Sequence, residues 1–371
     1  MQGTFEAPKY LTGDGGPGTV LANDDDPDGI PTADGTMTVD FFCTVPAAAT
    51  AEEPAGTIIY GHGLLGTRQQ TLTSAWWASA GISFLRARLP RHVGHGRRPD
   101  RRVLQRPQRV PHGPGPPAAG PPDLPAARAA AAQPGRFASD PAFQDADGRP
   151  TIDTDQVALL GASQGGILGG VASSLTDDWT QVILAVPGLG YNLLLRRSID
   201  FDEFFPQVEA NYPDELDQTL VLDLLEQLWQ RGENAGYAQH LTRDPFEGVP
   251  AKHVLLLEAF GDHQVANVST EKLARTLQIG RRAPTLAEGR SADVEPFWGI
   301  DPIELPSDGS GLVMWDFGTP TPPTENLPNR GGDDPHGKLS DVPEALALVL
   351  SFVQDATNID VCGGDPCSSP G

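Results

Sequence analysis

The 371-residue chain has only three cysteines, a shortage of positive charge, and no run of about 18 apolar residues. Each shortage removes a class of protein. Three thiols fall short of the ligand count of a structural zinc site. Without a long apolar run, no segment reads as a stable membrane span. No basic stretch followed by an apolar one opens the chain, so no signal peptide is legible. Gly3-Thr4-Phe5-Glu6-Ala7-Pro8 reads like the interior of a domain, and an N-terminally shortened sequence is expected. Against 49 acids stand 26 Lys and Arg, a net charge of −23. Such a surface repels nucleic acid and fits a soluble or salt-adapted protein.

The acids that are present do not form a calcium loop either. Asn23-Asp24-Asp25-Asp26-Pro27-Asp28-Gly29 lacks the downstream bidentate glutamate, and Pro27 interrupts it. A solvated turn ahead of a strand at Thr36–Cys43 is the expectation, with Cys43 as a buried thiol. Cys362 and Cys367 bracket Gly363-Gly364-Asp365-Pro366, a spacing able to close a small disulfide loop in a flexible tail. A bridge there favours an extracellular or cell-envelope setting, while the missing signal leaves the cytoplasm open.

The most informative stretch runs from Val157 to Gly170. An apolar strand passes through Gly161-Ala162-Ser163-Gln164-Gly165 into a small-residue helix. A serine at such a turn is forced into a strained backbone, and glycines two before and two after it allow neighbouring backbones to approach closely. The turn lifts the Ser163 hydroxyl out of the sheet, over a helix N-terminus that favours negative charge. Upstream, a buried strand Gly56–Tyr60 leads into Gly61-His62-Gly63-Leu64-Leu65-Gly66. A glycine-rich turn there points backbone N–H groups inward, and the N–H groups of Leu64 and Gln164 are assigned to an oxyanion hole. His62 is read as holding this turn in shape.

Downstream, the apolar strand His253–Ala259 ends near Gly261-Asp262-His263. Asp262 sits just past the strand, where a carboxylate can orient an imidazole. Glu258 is the alternative, but within the strand it faces a partner or the surface. His263 adjoins the acid and is poorly placed to reach both Asp262 and Ser163. A last strand near Gly311–Phe317 precedes a loop with Asp333-Asp334-Pro335-His336-Gly337, and a helix from about Val342 to Val353 follows.

These segments resemble the α/β-hydrolase superfamily, and within it the bacterial serine esterases and lipases. Gly61–Thr67 is similar to their His-Gly oxyanion turn and Gly161–Gly165 to their serine turn. The likeness covers roughly residues 56–85 and 152–356. It implies a mostly parallel central sheet flanked by helices, with a helical cap insertion. It also implies a Ser163–His336–Asp262 triad, in the chain order Ser, Asp, His, that cleaves carboxylic esters through an acyl-enzyme. His336 alone of the eight histidines lies at the right point in that order. No metal or cofactor is required, and the expected partner is a small-molecule or lipid ester. Cleavage of amides or peptides by the same groups stays open, as does an inactive or damaged binding protein.

The expected organisation is a β-rich extension at 1–50, a hydrolase core at 51–188 and 251–356, a cap insertion at 189–250, and a tail at 357–371. In that fold the insertion would line a pocket, with His62, Gly63, Leu65, Leu193, Leu194, Phe204 and Phe205 against substrate. Residues 86–136 obey different rules. They hold 11 arginines and 11 prolines, no aromatic residue, and two acids, Asp100 and Asp123. Repeated proline cannot build the helix this interval should supply. The composition fits translation of a GC-rich gene in a shifted frame; a flexible lid and a basic disordered insertion are the alternatives.

Overall fold

The computed structural model describes residues 1–13, 22, 32–64, 77–88 and 134–369. The acidic run 23–29, Leu65, and residues 89–133 of the Arg/Pro-rich segment lie outside them. The chain forms two compact units, Met1–Tyr60 with Leu65–Val157, and Gly61–Leu64 with Ala158–Gly371.

In the first unit, β1 (Gln2–Pro8) pairs antiparallel with β2 (Thr36–Thr44), placing Phe5 opposite Val39. β3 (Ala55–Gly61) runs parallel to β4 (Ile82–Arg88), and β4 pairs antiparallel with β2. Alternation in β2 turns Val39 and Cys43 inward. Cys43, Leu85, Phe143 and Ile152 form a core cluster, against which Phe41 and Phe137 pack edge to face at 5.1 Å. Phe137 comes from a short helix, α1 (Pro134–Ser139). Burial pushes the Cys43 thiol up to about 12, so it is an inert packing group, as expected. The N-terminal strands are thus built into the same unit as β3 and β4.

β5 (Ile152–Ala162) begins in the first unit and ends in the second. There follow α2 (Gln164–Ser174), β6 (Gln181–Ala185), α3 (Tyr191–Arg196), α4 (Phe205–Asn211), α5 (Glu215–Trp229) and α6 (Ala238–Thr242). The chain continues through β7 (His253–Ala259), α7 (Asn267–Leu277), and the two-residue strands β8 (Arg281–Arg282), β9 (Pro302–Ile303) and β10 (Ser307–Asp308). It ends with β11 (Gly311–Trp315), α8 (Pro343–Asp355) and β12 (Thr357–Asn358). The strands β5-β6-β7-β11-β8-β9 are all parallel. A parallel sheet covered on both faces needs continuous apolar strands. Val182-Ile183-Leu184 and Val254-Leu255-Leu256 meet that need with every side chain fully buried.

Two expectations change. The tail is tied down: β12 pairs with β10, Cys362 and Cys367 form a disulfide, and Cys367 O accepts the Asp316 N–H at 2.9 Å. The insertion at 189–250 is not all cap. Ala238 and Leu241 of α6 are fully buried, and Asn234 and Leu241 crowd Gly170 of α2, where an added Cβ would stand 2.0 Å and 3.5 Å from them. The end of the insertion is core, because α2 presents glycine to it and leaves room for side chains. Leu256→Ala, which empties the centre of β7, should cost about 2–5 kcal/mol. A lower urea midpoint with an unchanged slope is the expected measurement.

Candidate active site

Ser163 caps α2 with φ 57° and ψ −123°, a left-handed conformation that a non-glycine residue rarely adopts. Neighbouring hydrogen bonds impose it. Ser163 N–H donates to Ala185 O of β6 at 2.9 Å, and Ser163 O accepts Gly166 N–H and Ile167 N–H at 2.8 Å and 3.0 Å. The flanking glycines have a specific cause. A Cβ on Gly161 would lie 2.1 Å from Gly165 O, and one on Gly165 would lie 2.1 Å from Gly61 O. The serine turn and the Gly61–Leu64 turn therefore touch backbone to backbone.

Gly63 stands over Ser163, since a Cβ there would be 3.2 Å from Ser163 Cβ. His62 Nδ1 lies 2.9 Å from Gly63 O, so the imidazole braces its own turn. Leu64 is 49% exposed. Among the described residues, no hydrogen bond engages the Leu64 or Gln164 N–H, and none engages Ser163 Oγ.

Asp262 and His336 are brought together: Nδ1 of the imidazole is 2.7 Å from Asp262 Oδ2, across 74 residues. The carboxylate is fixed by its other oxygen, which accepts Gln264 N–H at 2.8 Å and Val265 N–H at 2.9 Å. Burial acts to lower the His336 pKa. The adjacent Asp262 carboxylate, helped by Asp334 and Asp200, outweighs it and holds the imidazole above its ordinary value. His263 sits apart from this pair, with Nε2 3.2 Å from Gly331 O. Glu258 does not face the surface. It is fully buried, and its Oε1 accepts Asn267 Nδ2 at 2.9 Å. Burial keeps its pKa well above the usual carboxylate range, which unfits it for holding a charged imidazole.

Two supporting residues were not foreseen. Asp334 Oδ1 accepts the N–H groups of His263 and His336, at 3.3 Å and 3.1 Å, and its Oδ2 accepts Gln264 Nε2 at 2.8 Å. It clasps the acid loop to the histidine loop. Asn329 donates to Gly261 O at 2.7 Å, where Gly261 has φ +81°. An acid two residues before a loop histidine was the legible signal for the first; nothing marked the second.

The expected pocket residues divide. Leu194 is spent in a cluster with Ile167 and Val265, and Phe205 is buried against Phe201 beneath the Arg196 guanidinium. Core packing thus takes both away from any substrate. Leu193 and Phe204 remain half-buried. A cavity of about 380 Å³ opens beside Asp262, bordered by Arg197, Val268, Trp298 and Leu327, and none of the four expected side chains lines it.

Asp262→Asn removes the charge while preserving the shape. The His336 imidazole should then titrate lower than in the native chain, because burial remains while the adjacent carboxylate is gone and only Asp334 and Asp200 still oppose it. Proton NMR of the ring as a function of pH checks this.

No family model matches the chain, and no curated protein matches it. Solved structures do. An acylaminoacyl peptidase of Pyrococcus horikoshii aligns at 15% identity and TM-score 0.49, over 88% of this chain and 42% of that one. A puromycin-hydrolyzing peptidase of Mycobacterium tuberculosis aligns at 18% identity and TM-score 0.48, over 93% and 40%. Acetyl xylan esterase 1 of Thermoanaerobacterium sp. JW/SL YS485 aligns at 12% identity and TM-score 0.45, over 86% and 80%. The chain thus spans less than half the length of the two peptidases. At such identities and TM-scores these likenesses carry no argument of their own. The structure itself has a run of parallel strands with helices between them and a strained serine between β5 and α2, the arrangement that the sequence's resemblance to the α/β-hydrolase superfamily implies.

Proposed function

We propose that the chain is a serine hydrolase that cleaves carboxylic esters through an acyl-enzyme. The reading rests on one observation above all: a serine held in a left-handed conformation at the head of α2, its hydroxyl unengaged. Strain of this kind costs about 1–3 kcal/mol and concentrates at functional sites. The ready-made Asp262–His336 pair supplies the base.

In this mechanism Ser163 Oγ attacks the acyl carbonyl while His336 Nε2 takes its proton. Asp262 stabilises the imidazolium that forms, which the raised pKa of His336 favours. The N–H groups of Leu64 and Gln164 receive the oxyanion, where one lost donor typically costs about 10²–10³ in rate. His336 returns the proton to the leaving alcohol, and water, activated by the same base, releases the acid. No Ser163–His336 hydrogen bond is present among the described residues, and in this mechanism it forms as substrate enters, as is usual for catalytic hydrogen bonds. Leu64, Leu193 and Phe204 are the proposed apolar contacts, and a small or lipid ester is the proposed substrate. The Cys362–Cys367 bridge fits an oxidising, extracellular or envelope compartment.

Composition favours one second reading: a hydrolase-fold chain damaged by a frame shift across 86–136. A fluorophosphonate separates the two. An adduct on Ser163, mapped by mass spectrometry, supports the enzyme, whereas an adduct only on a frame-restored chain supports the damaged copy. Ser163→Ala should abolish the adduct and lower kcat by about 10⁶ on a p-nitrophenyl ester, with thermal stability retained. Undiminished hydrolysis in that variant would rule Ser163 out, and faster cleavage of peptide anilides than of esters would reassign the substrate.

A further inference from the structure

Away from the proposed triad, an unusual concentration of buried acid lies where the turn after α5 meets the first turn of α3. Glu233 is 1% exposed. Its Oε2 accepts Gly190 N–H at 3.1 Å, and Oε2 of Glu226, on α5, accepts Asn192 N–H at 3.1 Å. The other oxygen of each carboxyl, Glu226 Oε1 and Glu233 Oε1, is buried without a donor. Two ionised groups would not tolerate that arrangement. The two carboxyls interact directly, so a single proton held between them gives each orphaned oxygen a partner.

We propose that Glu226 and Glu233 share one proton, and in that state act as a positioning pair that clamps the Gly190–Asn192 turn and keeps Tyr191 seated against Gln164 beside the nucleophile. The consequence for catalysis rests on the serine-hydrolase reading; the shared proton does not. Tyr191 lies beside the Gln164 side chain, and its ring packs edge to face on Trp229 at 6.0 Å. The next residue of the same turn, Asn234, donates to Gly188 O at 2.8 Å and to Gly166 O at 3.4 Å. The clamp therefore reaches both the entry to α3 and the first turn of α2, whose N-cap is Ser163.

The charged neighbours are few. Asp223 of α5 accepts from Asn192 Nδ2 at 2.7 Å, and Arg231 lies in the turn between the two glutamates. The Lys272 ammonium of α7 stands 3.1 Å from where a Cβ on Gly190 would be. Burial, then the hydrogen bond and charge of Glu226, push the Glu233 carboxyl up to about 8. An acid raised in the folded state stabilises it most at low pH, and that contribution is lost as pH rises through the folded value. Above about 8, two like charges meet in a buried place and the clamp opens. One competitor titrates in the same range. Burial lowers Lys252 to about 8, where its ammonium donates to Thr176 O and Trp179 O.

The test follows the glutamate carboxyl carbons by NMR across pH 4–10, alongside the rate at which a fluorophosphonate labels Ser163. Glu226→Gln supplies a permanent amide donor, and Glu233→Gln makes the same comparison from the other side if the first variant does not fold. In the native chain, one proton should leave the pair with a midpoint near 8, and labelling should fall about tenfold per pH unit above it. In the Gln variants that alkaline limb should disappear. Ordinary carboxylate midpoints for both glutamates would overturn the proposal. So would an alkaline limb that survives in the Gln variant, which would belong to Lys252. If the pair titrates as expected but nothing labels at any pH, the hydrolase reading fails and the shared proton stands.

Discussion

The near-contact of two backbones, at Gly61 and Gly165, is the constraint on which the rest of the site depends. No side chain fits between them, since an added Cβ on Gly165 would overlap Gly61 O. That proximity brings the Gly61–Leu64 turn over Ser163 and obliges the serine to adopt a positive φ. A conformation costing about 1–3 kcal/mol persists only where its surroundings over-determine it. Here they do: Ser163 N–H is committed to β6, whose centre is fully buried, and its carbonyl to α2, most of whose residues are buried. The strain follows from those commitments, and among the described residues it leaves the Ser163 hydroxyl without a partner.

Charge is managed by a second rule. In a chain of net charge −23, buried acids among the described residues are treated differently: Asp262 is held by backbone N–H groups, whereas burial pushes Glu258 up. Asp262 takes two N–H groups on one oxygen, which leaves the other free to polarise His336. Burial acts to raise the Asp334 pKa, but hydrogen bonds from Gln264, His336 and His263 prevail and hold it below the usual range. Glu258, only four residues from Asp262, has a single side-chain donor and is pushed the opposite way by burial. Placement relative to the strand end thus separates an acid that can stay ionised from one that cannot. Past the last strand residue the backbone turns and its N–H groups are free to donate; inside the strand they are already used in the ladder.

Much of this was legible in the sequence. Glycines at 161 and 165 around a serine, between an apolar run and a small-residue helix, fixed the turn because only glycine answers a backbone collision. Asp262 was legible as the first polar residue after a buried strand. His336 followed from chain order rather than from its neighbours. What escaped depends on contacts between distant segments. Asn329 holds Gly261 across 68 residues, and no local pattern encodes that. Leu194 and Phe205 looked like pocket walls because apolar spacing on a short helix reads the same whether it faces a ligand or a core. The tail looked flexible from its Gly and Ser content, yet a disulfide and a two-residue strand pairing hold it against β10 and Asp316.

The insertion between β6 and β7 shows why a boundary drawn by chain position misleads. α6 fills the space left by Gly170, and Asn234 satisfies the carbonyls of Gly166 and Gly188, so this end of the insertion completes the core around α2. Removing it would uncover the glycines of α2 and take from Gly188 O its Asn234 donor. Leu216, Leu220, Leu224 and Leu228 of α5, by contrast, form an exposed row at intervals of four, with no role in that core. One segment therefore carries two constraints: its end packs against α2, and its middle is tied to the Gly190–Asn192 turn through Glu226, Glu233, the Asp223–Asn192 hydrogen bond and the Trp229–Tyr191 ring contact. Substitutions on the exposed face of α5 can vary without touching the serine, whereas any change at the pair is felt at Gly190 and, through Tyr191, at Gln164.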